Sequence, residues 1–227
     1  MIAARRIIPS IIACLGIAGV CVAGASGNAH TVTVVPGSSD VAGHHYGYWE
    51  RSAQRWRLTV PLSTATRRTS CLRKPPSGPV WFLYWNSLAT DVNCEISAGK
   101  YLLLTSLVVD CSTVEPPPFH ASTDAGLRRC AEREWAKSGA YATVRLDGRK
   151  LRPSGYVSQT GAFTFHMPPR HNLLSVPGST RGRTAMVGLS TILSPLKPGT
   201  HTLTIASGFK NARPPRFPTD TIHLTVR

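Results

Sequence analysis

The chain has few acidic residues and lacks the short motifs that mark common catalytic and metal sites. Only 11 of its 227 residues are Asp or Glu, against 26 Lys and Arg, so the formal net charge is +15 at pH 7. No G-x-S-x-G segment occurs, so the nucleophile elbow of serine hydrolases is absent. No C-x-x-C pair occurs either, which removes the usual spacing of a structural zinc site. We therefore nominate no catalytic residue, no metal ligand and no cofactor.

Two arginines and a long apolar run open the chain. Arg5 and Arg6 precede the apolar stretch 7–22, and Ala23-Gly24-Ala25 is the small-residue pattern that signal peptidase recognises. This order predicts a secretory signal peptide over residues 1–25, and hence a secreted or cell-envelope protein. The same stretch is long enough to span a bilayer, so membrane attachment is the alternative if the leader is not cleaved.

Four cysteines follow the leader, at Cys71, Cys94, Cys111 and Cys130. An even number of cysteines in an exported chain predicts two disulfides. Three pairings are possible, and order along the chain favours Cys71 with Cys94 and Cys111 with Cys130. In the chain-entropy account, each loop of roughly twenty residues would stabilise the fold by about 3 kcal/mol.

Two segments have features typical of helices. Apolar residues recur at i, i+4, i+7 and i+11 in the first segment, at Trp49, Ala53, Trp56 and Val60. This spacing predicts a helix over 46–58 that Pro61 ends, and its two tryptophans are interpreted as core residues rather than a sugar-stacking platform. A second helix is predicted from Asp124, whose carboxylate can cap the first amides, to the residue before Gly139.

Short strands account for most of the remaining chain. The apolar runs 79–85 and 100–109 predict buried central strands, and Asp147-Gly148 is typical of a hairpin turn. Further strands are predicted over 163–165, 184–193, 200–206 and 221–226. The pattern predicts a single all-β domain over 46–227, an immunoglobulin-like or jelly-roll-like β-sandwich with two peripheral helices. Residues 26–45 are predicted to form a flexible N-terminal arm.

Several segments resemble known secreted bacterial proteins. Ala142-Thr-Val-Arg-Leu-Asp-Gly148 and Ser194-Pro-Leu-Lys-Pro-Gly-Thr-His-Thr-Leu-Thr-Ile205 are similar to paired segments of secreted immunoglobulin-like modules. Together with Gly78-Pro-Val-Trp-Phe-Leu83 and Asp110-Cys-Ser112, over residues 46–226, they resemble a family of uncharacterised secreted bacterial proteins. That family has no assigned activity. The resemblance therefore implies fold and export and carries over no site residues.

Individual acidic, aromatic and histidine residues support weaker hypotheses. Glu50 adjoins Trp49, and Asp110 ends the most apolar strand. A glycan-hydrolysing pocket is the enzyme alternative, built from Trp81, Tyr84, Trp85 and Asp110. A turn-capping role for Asp110 is favoured over that catalytic one. The metal candidates are His44, His45, His166 and His171, which we interpret as solvated, and His201 as a strand-surface residue.

The basic, proline-rich segment 207–219 has the composition of a ligand-binding loop. It interleaves cations with aromatic rings, at Phe209, Lys210, Arg213, Arg216 and Phe217. With the net charge, this loop predicts attraction to anionic envelope polymers or lipid headgroups, and nucleic acid is not an expected partner of an exported chain. An excess of Arg over Lys is also the bias of a GC-rich genome. We expect a non-catalytic binding or structural protein, with a carbohydrate-active or other hydrolase as the alternative.

Overall fold

A computed structural model describes residues 32–65, 77–83, 91–176, 178, 180–211 and 218–227. Residues from Thr31 onward form one compact unit. The helices are α1 (Tyr46–Leu58), α2 (Leu62–Ala65) and α3 (Asp124–Ser138). The strands are β1 (Val80–Leu83), β2 (Asp91–Ile96), β3 (Tyr101–Ser112), β4 (Ala140–Leu146), β5 (Arg149–Lys150), β6 (Tyr156–Gln159), β7 (Phe163–His166), β8 (Arg181–Leu193), β9 (Gly199–Phe209) and β10 (Asp220–Val226).

The strands form two five-stranded sheets. The first sheet has the order β1-β3-β8-β6, with β7 also paired to β8. The second has the order β2-β10-β9-β4-β5. Each sheet contains one parallel pair, β1 with β3 and β2 with β10, and the remaining pairs are antiparallel.

A shared hydrophobic core joins the two sheets. It contains Leu102 and Leu104 of β3, Leu193 of β8, and Leu203 and Ile205 of β9. Each of these side chains is at most 1% exposed. The predicted all-β sandwich with two peripheral helices, α1 and α3, is therefore confirmed, and α2 adds one further turn.

Alternation along β8 determines what each face of the first sheet contacts. Leu193 lies in the core between the sheets, and Ala185 and Val187 pack with α3. Residues of the opposite parity face α1: Ile192 packs with Trp49. Because side chains alternate along a strand, the second sheet and α3 share one face of the first sheet, and α1 covers the other.

Both predicted helices are confirmed, with one correction to a cap. Helix α1 spans the predicted residues, and α3 ends before Gly139, whose φ of 60° is left-handed. The cap of α3 is Thr123, whose hydroxyl accepts from the Gly126 N–H at 3.1 Å, rather than Asp124. Asp124 instead binds Arg183 through two hydrogen bonds. A Thr hydroxyl at the N-cap satisfies a first-turn amide without using a charge.

The predicted strands are found close to their expected bounds, and two were missed. Asp147 and Gly148 both have positive φ, 50° and 77°, in the turn between β4 and β5, as a type I′ hairpin requires. The missed strands are β2 and β6. Two of the residues predicted in the strand over 79–85, Tyr84 and Trp85, lie outside the described residues.

Residues 32–45, expected in a flexible arm, pack on the first sheet instead. The Val35 N–H donates to the Ile192 carbonyl at 2.8 Å, and Val34 forms an isolated bridge with Leu193. Val41 is 2% exposed and belongs to the cluster beneath α1. This part of the arm is ordered because it covers apolar side chains that would otherwise meet water.

Cys111 and Cys130 form a disulfide that joins β3 to α3, as predicted. Cys94 is also disulfide-bonded. Cys71, its predicted partner, lies outside the described residues. Within the described ranges, no helix combines the length and apolarity needed to cross a bilayer.

Candidate functional site

The described residues of the predicted ligand loop are 207–211 at its start and 218–219 at its end. Phe209 ends β9 and is half-buried, and Lys210 is exposed. The Lys210 N–H donates to the Gly139 carbonyl at 3.2 Å, and the Asn211 side chain donates to the Lys137 carbonyl at 2.5 Å. These contacts tie the base of the loop to the end of α3. Arg213, Arg216 and Phe217 lie outside the described residues.

A smaller share of the acidic residues than of the basic residues is exposed. All eleven acidic residues are described, and five are buried or half-buried, namely Glu50, Asp110, Glu115, Glu134 and Asp220. Glu134 and four exposed acids contact an Arg, Lys or His nitrogen; the four are Asp91, Glu95, Asp124 and Asp147. Among the described acids, only Asp40 and Glu132 are exposed without such a contact.

A larger share of the basic residues is exposed. Of the 18 Arg and Lys residues in the described ranges, 15 are exposed. The hairpin β4–β5 carries Arg145, Arg149 and Lys150, and Arg152 follows it. Arg145 and Lys150 are direct cross-strand partners, an arrangement of like charges that weakens a strand pair. On the described surface, exposed cations therefore outnumber exposed acids by 15 to six.

A polar cluster lies between α1 and the first sheet. Glu50, Gln54 and Arg57 fall at i, i+4 and i+7 on α1 and so share one helix face. The Thr105 hydroxyl of β3 lies 3.3 Å from a Glu50 carboxylate oxygen, and Arg57 Nη1 donates to Gln54 at 3.2 Å. These four side chains line a small enclosed cavity of about 40 Å³. Glu50 is 1% exposed, so its carboxyl is inside the protein.

Burial changes the acidity of the carboxyl groups in and beside this cluster. It raises the pKa of Glu50 to about 7, because the charged form loses its hydration. Burial and the nearby Asp110 charge raise the pKa of Glu115 to about 7. Burial also raises the pKa of Asp110, although the Arg57 charge opposes the shift. Near neutral pH, Glu50 and Glu115 are therefore partly protonated.

An aromatic groove lies between α1 and the start of β1. It has a volume of about 570 Å³ and is lined by His44, Tyr48, Trp49, Arg55, Trp56 and Phe82, among others. The His44 ring stacks on the Tyr48 ring at 3.7 Å between centroids. Trp56 and Phe82 also line the cavity beside Glu50. A groove of this size and lining suits a small ligand or one unit of a polymer.

The structure does not assemble the predicted glycan-hydrolysing pocket. Trp81 pairs with Leu102 and packs on the core between the sheets, whereas Asp110 interacts with Gln54 and Arg57 on the α1 side. The two side chains therefore face opposite sides of the first sheet. Tyr84 and Trp85 lie outside the described residues.

The histidines considered as metal candidates do not gather in one cluster among the described residues. His44 stacks on Tyr48, His45 precedes α1, and His166 and His171 are exposed. His201 is hydrogen-bonded to Asp147 at 2.8 Å and to the Lys197 carbonyl at 3.0 Å. Among the described residues, no three His, Cys, Asp or Glu side chains converge as metal ligands would.

Sequence reasoning singled out Glu50 and Asp110 but missed the other members of the polar cluster. The signal was present in α1, because Glu50, Gln54 and Arg57 repeat at helical spacing beside the apolar stripe. Glu115 carries no comparable signal, because it lies after the end of β3 and is buried by the fold.

These features define the chain as a cationic, disulfide-bonded β-sandwich with a helix-covered first sheet. No protein-family model and no curated protein matches it. The cysteine protease inhibitor EhICP2 from Entamoeba histolytica is similar to 65% of this chain over 94% of its own, with 11% identity and a TM-score of 0.24. PbICP-C, solved in complex with falcipain-2, is similar to 71% of this chain over 100% of its own, with 12% identity and a TM-score of 0.24. Neither likeness, at that TM-score, identifies a function.

Proposed function

We propose that this protein is a non-catalytic binding or structural protein of the cell exterior that adheres to anionic envelope polymers. The observation that carries the proposal is the partition of charge. Fifteen of 18 described cations are exposed, against six of the eleven acids. Of these, eleven cations but only two acids make no ion-pair contact among the described residues. A surface of one sign attracts polymers of the other.

Two regions of the cationic surface are suited to contact a polymer. The hairpin β4–β5 places Arg145 and Lys150 side by side on the exposed face of the second sheet, and an anion between them would offset their repulsion. Arg128 and Arg129 are exposed on α3. Arg213 and Arg216, although outside the described residues, add two more cations by sequence.

Export supports the same proposal. The leader predicted over residues 1–25 directs the chain out of the cytoplasm. A disulfide between Cys111 and Cys130 is typical of proteins that fold in an oxidising compartment. Lipid headgroups and acidic polysaccharides of the envelope are both anionic surfaces within reach of such a protein.

The test is retention of the purified, oxidised protein on anionic beads across a salt series, with uncharged dextran beads as the blank. Dextran sulfate and beads coated with the anionic envelope fraction serve as the two ligands. We expect retention on both at low salt and release near 1 M salt, where the screening length falls to about 3 Å. Retention that is absent on both ligands, or unchanged by salt, would contradict the proposal.

A matched pair of variants tests the hairpin. R145Q/R149Q/K150Q removes three charges from the hairpin, and R170Q/R181Q/K197Q removes three exposed charges elsewhere. We expect release of the hairpin variant at lower salt than the control variant, because its charges lie close together. Equal release of the two variants would mean that net charge alone determines adhesion.

Glycan hydrolysis is the second candidate function, and one observation favours it. The aromatic groove shares Trp56 and Phe82 with the cavity beside Glu50, a carboxyl group whose pKa of about 7 would suit a general acid. Burial of Glu50 at 1% exposure argues against substrate contact. Release of reducing sugar from envelope glycan by the wild type but not by E50Q would support hydrolysis. Equal release by the two proteins, or no release by the wild type, would contradict hydrolysis through Glu50.

A further inference from the structure

The aromatic groove between α1 and β1 is lined by rings that the fold leaves partly accessible. Tyr48, Ser52 and Trp56 fall at i, i+4 and i+8 and share the face of α1 that lines the groove. Tyr48 and Trp56 are half-buried, whereas Trp49, which also lines the groove, is 7% exposed. Core packing therefore describes Trp49 fully and Trp56 only in part, and the rest of the Trp56 ring can contact a ligand.

The polar ends of the half-buried rings have no protein partner within the described residues. The Tyr48 hydroxyl and the Trp56 indole N–H make no hydrogen bond there, whereas the Trp49 indole donates to the Val41 carbonyl at 2.9 Å. The Ser52 hydroxyl donates to the Tyr48 carbonyl at 2.9 Å, so its oxygen can still accept from a ligand. Rings with polar ends suit a ligand that has both an apolar face and hydroxyl groups.

The charge at the groove has one sign. Arg55 lines it and is exposed, and no Asp or Glu is among the described residues that line it. The Arg55 Nε donates to the Thr164 carbonyl at 3.2 Å, and the guanidinium makes no other hydrogen bond or ion pair with a described residue. Arg51 lies beside the groove, with its guanidinium carbon 5.6 Å from the centroid of the Tyr48 ring. Two cations at a groove without acids favour an anionic ligand.

The combination of rings, hydroxyls and cations determines which anion fits. A bare phosphate or sulfate has no apolar face to cover a tryptophan ring. A pyranose sugar that carries a carboxylate has C–H groups on its faces and hydroxyls at its edge. Its carboxylate also matches the planar guanidinium, which binds such groups through two parallel hydrogen bonds. The groove volume of about 570 Å³ is within the usual range of small-ligand sites.

We propose that the aromatic groove binds a uronic acid unit of an acidic polysaccharide. The sugar ring packs on Trp56, its hydroxyls bond to Tyr48 and Ser52, and its carboxylate pairs with Arg55. This inference rests on the proposed adhesion to anionic polymers and deepens it by naming an acidic polysaccharide as the polymer. The hairpin β4–β5 then supplies attraction over a distance, and the groove supplies recognition of the sugar.

The experiment follows the indole N–H signals of ¹⁵N-labelled, oxidised protein by NMR, at constant ionic strength. The probes are a short oligogalacturonide, the methyl ester of the same oligosaccharide, and poly-glutamate. The ester keeps the sugar rings without the charge, and poly-glutamate keeps the carboxylates without the rings. We expect a saturable shift of the Trp56 signal with the oligogalacturonide, about tenfold weaker binding of the ester and no shift with poly-glutamate. The signal of Trp135 on α3 should stay in place.

Variants measured by calorimetry separate binding from folding. Arg55→Gln should weaken oligogalacturonide binding about tenfold, while the melting temperature stays close to that of the wild type because Arg55 is exposed. Arg170→Gln makes the same charge change at an exposed residue outside the groove, and its affinity should match the wild type. Trp56→Phe keeps a ring beside Phe82 but removes the indole N–H, so it should fold and bind severalfold more weakly.

No saturable shift of Trp56 with the oligogalacturonide would overturn the inference, as would unchanged affinity in Arg55→Gln. Equal binding of the ester or of poly-glutamate would overturn it too, because the groove would then not recognise a sugar acid. These outcomes are independent of bead retention. If the protein adheres to anionic beads but the oligogalacturonide leaves Trp56 unshifted, the site fails and the adhesion stands. If the oligogalacturonide binds at Trp56 but the protein adheres to no anionic bead, the adhesion fails and the site stands.

Discussion

Helix α1 holds the carboxyl group of Glu50 in the protein interior, at a position that could have carried an apolar residue. Its neighbours explain how it is tolerated. The Thr105 hydroxyl lies within 3.4 Å of both carboxylate oxygens, and Gly188 leaves room beside it. Because burial raises the pKa of Glu50 to about 7, the folded protein keeps a proton that the unfolded chain releases near pH 4.5. Stability must therefore depend on pH.

The direction of that dependence follows from proton binding. Between pH 4.5 and 7 the folded state binds more protons than the unfolded state, so the free energy of unfolding falls as pH rises and levels off above 7. Glu50→Gln removes this contribution. We expect the variant to match the wild type near pH 4.5 and to exceed it above pH 7 by up to about 3 kcal/mol. Urea unfolding across this pH range measures both curves.

Asp110 and Glu115 also have raised pKa values, so some pH dependence should persist in Glu50→Gln. Glu132→Gln is the matched control, because Glu132 is exposed and its unfolding curve should follow the wild type. Parallel curves for Glu50→Gln and the wild type would show that Glu50 is ionised in the folded protein over this range.

Thr123 offers a second prediction at the scale of one residue. Its hydroxyl accepts from the Gly126 N–H at 3.1 Å and caps α3. Thr123→Ala should lower the free energy of unfolding by about 1 kcal/mol, and Thr123→Asp should restore it. Ser122→Ala, at an exposed neighbouring residue, should leave stability unchanged. Urea denaturation of the three variants distinguishes a cap from a general effect of losing a hydroxyl near the helix start.

At the scale of elements, sequence patterns were most informative where several signals coincided. Helix α1 combined an apolar stripe with Pro61 as a stop, and both of its ends were predicted correctly. The β4–β5 hairpin combined alternating apolar residues with Asp147-Gly148. Strand β2 was missed although Val92, Cys94 and Ile96 alternate as buried residues. Strand β6 gave a weaker signal, because its Val157 is 58% exposed and its Ser158 is buried.

The disulfide between Cys111 and Cys130 fixes α3 to the end of β3. The two cysteines are 19 residues apart, and both side chains are almost fully buried. Replacing both by Ala should lower the free energy of unfolding by about 3 kcal/mol, since the unfolded chain regains the freedom that the loop removed. The midpoint of urea unfolding measures the loss.

A loss smaller than about 1 kcal/mol would mean that packing of α3 against β8, rather than the disulfide, holds the helix. The variant Ala136→Ser on the exposed face of α3 is the control, because it leaves both the disulfide and the buried face intact. Its unfolding midpoint should remain close to that of the wild type.

At the scale of the whole molecule, the sequence predicted the sign of the charge but not its placement. A count of residues gives +15 and cannot tell which acids the fold encloses. Glu115 becomes half-buried near Asp110 through the path of the chain after β3, and Arg57 reaches the same region from α1. Such placements depend on contacts between distant elements.

This placement predicts that folding takes up protons. At pH 6, Glu50 and Glu115, each with a pKa of about 7, are mostly protonated in the folded protein and mostly ionised in the unfolded chain. Refolding from urea at pH 6 should therefore take up about two protons per molecule from these two groups. At pH 9 these carboxyls are ionised in both states, and the uptake should vanish. An indicator dye in weakly buffered solution measures the change, and Glu50→Gln should reduce the uptake at pH 6 by about one proton. If no protons were taken up at pH 6, Glu50 and Glu115 would be ionised and hydrated in the folded protein. Its net charge would then be the one that the residue count gives. Uptake of the expected size would mean that folding itself increases the net positive charge that the molecule presents to an anionic polymer.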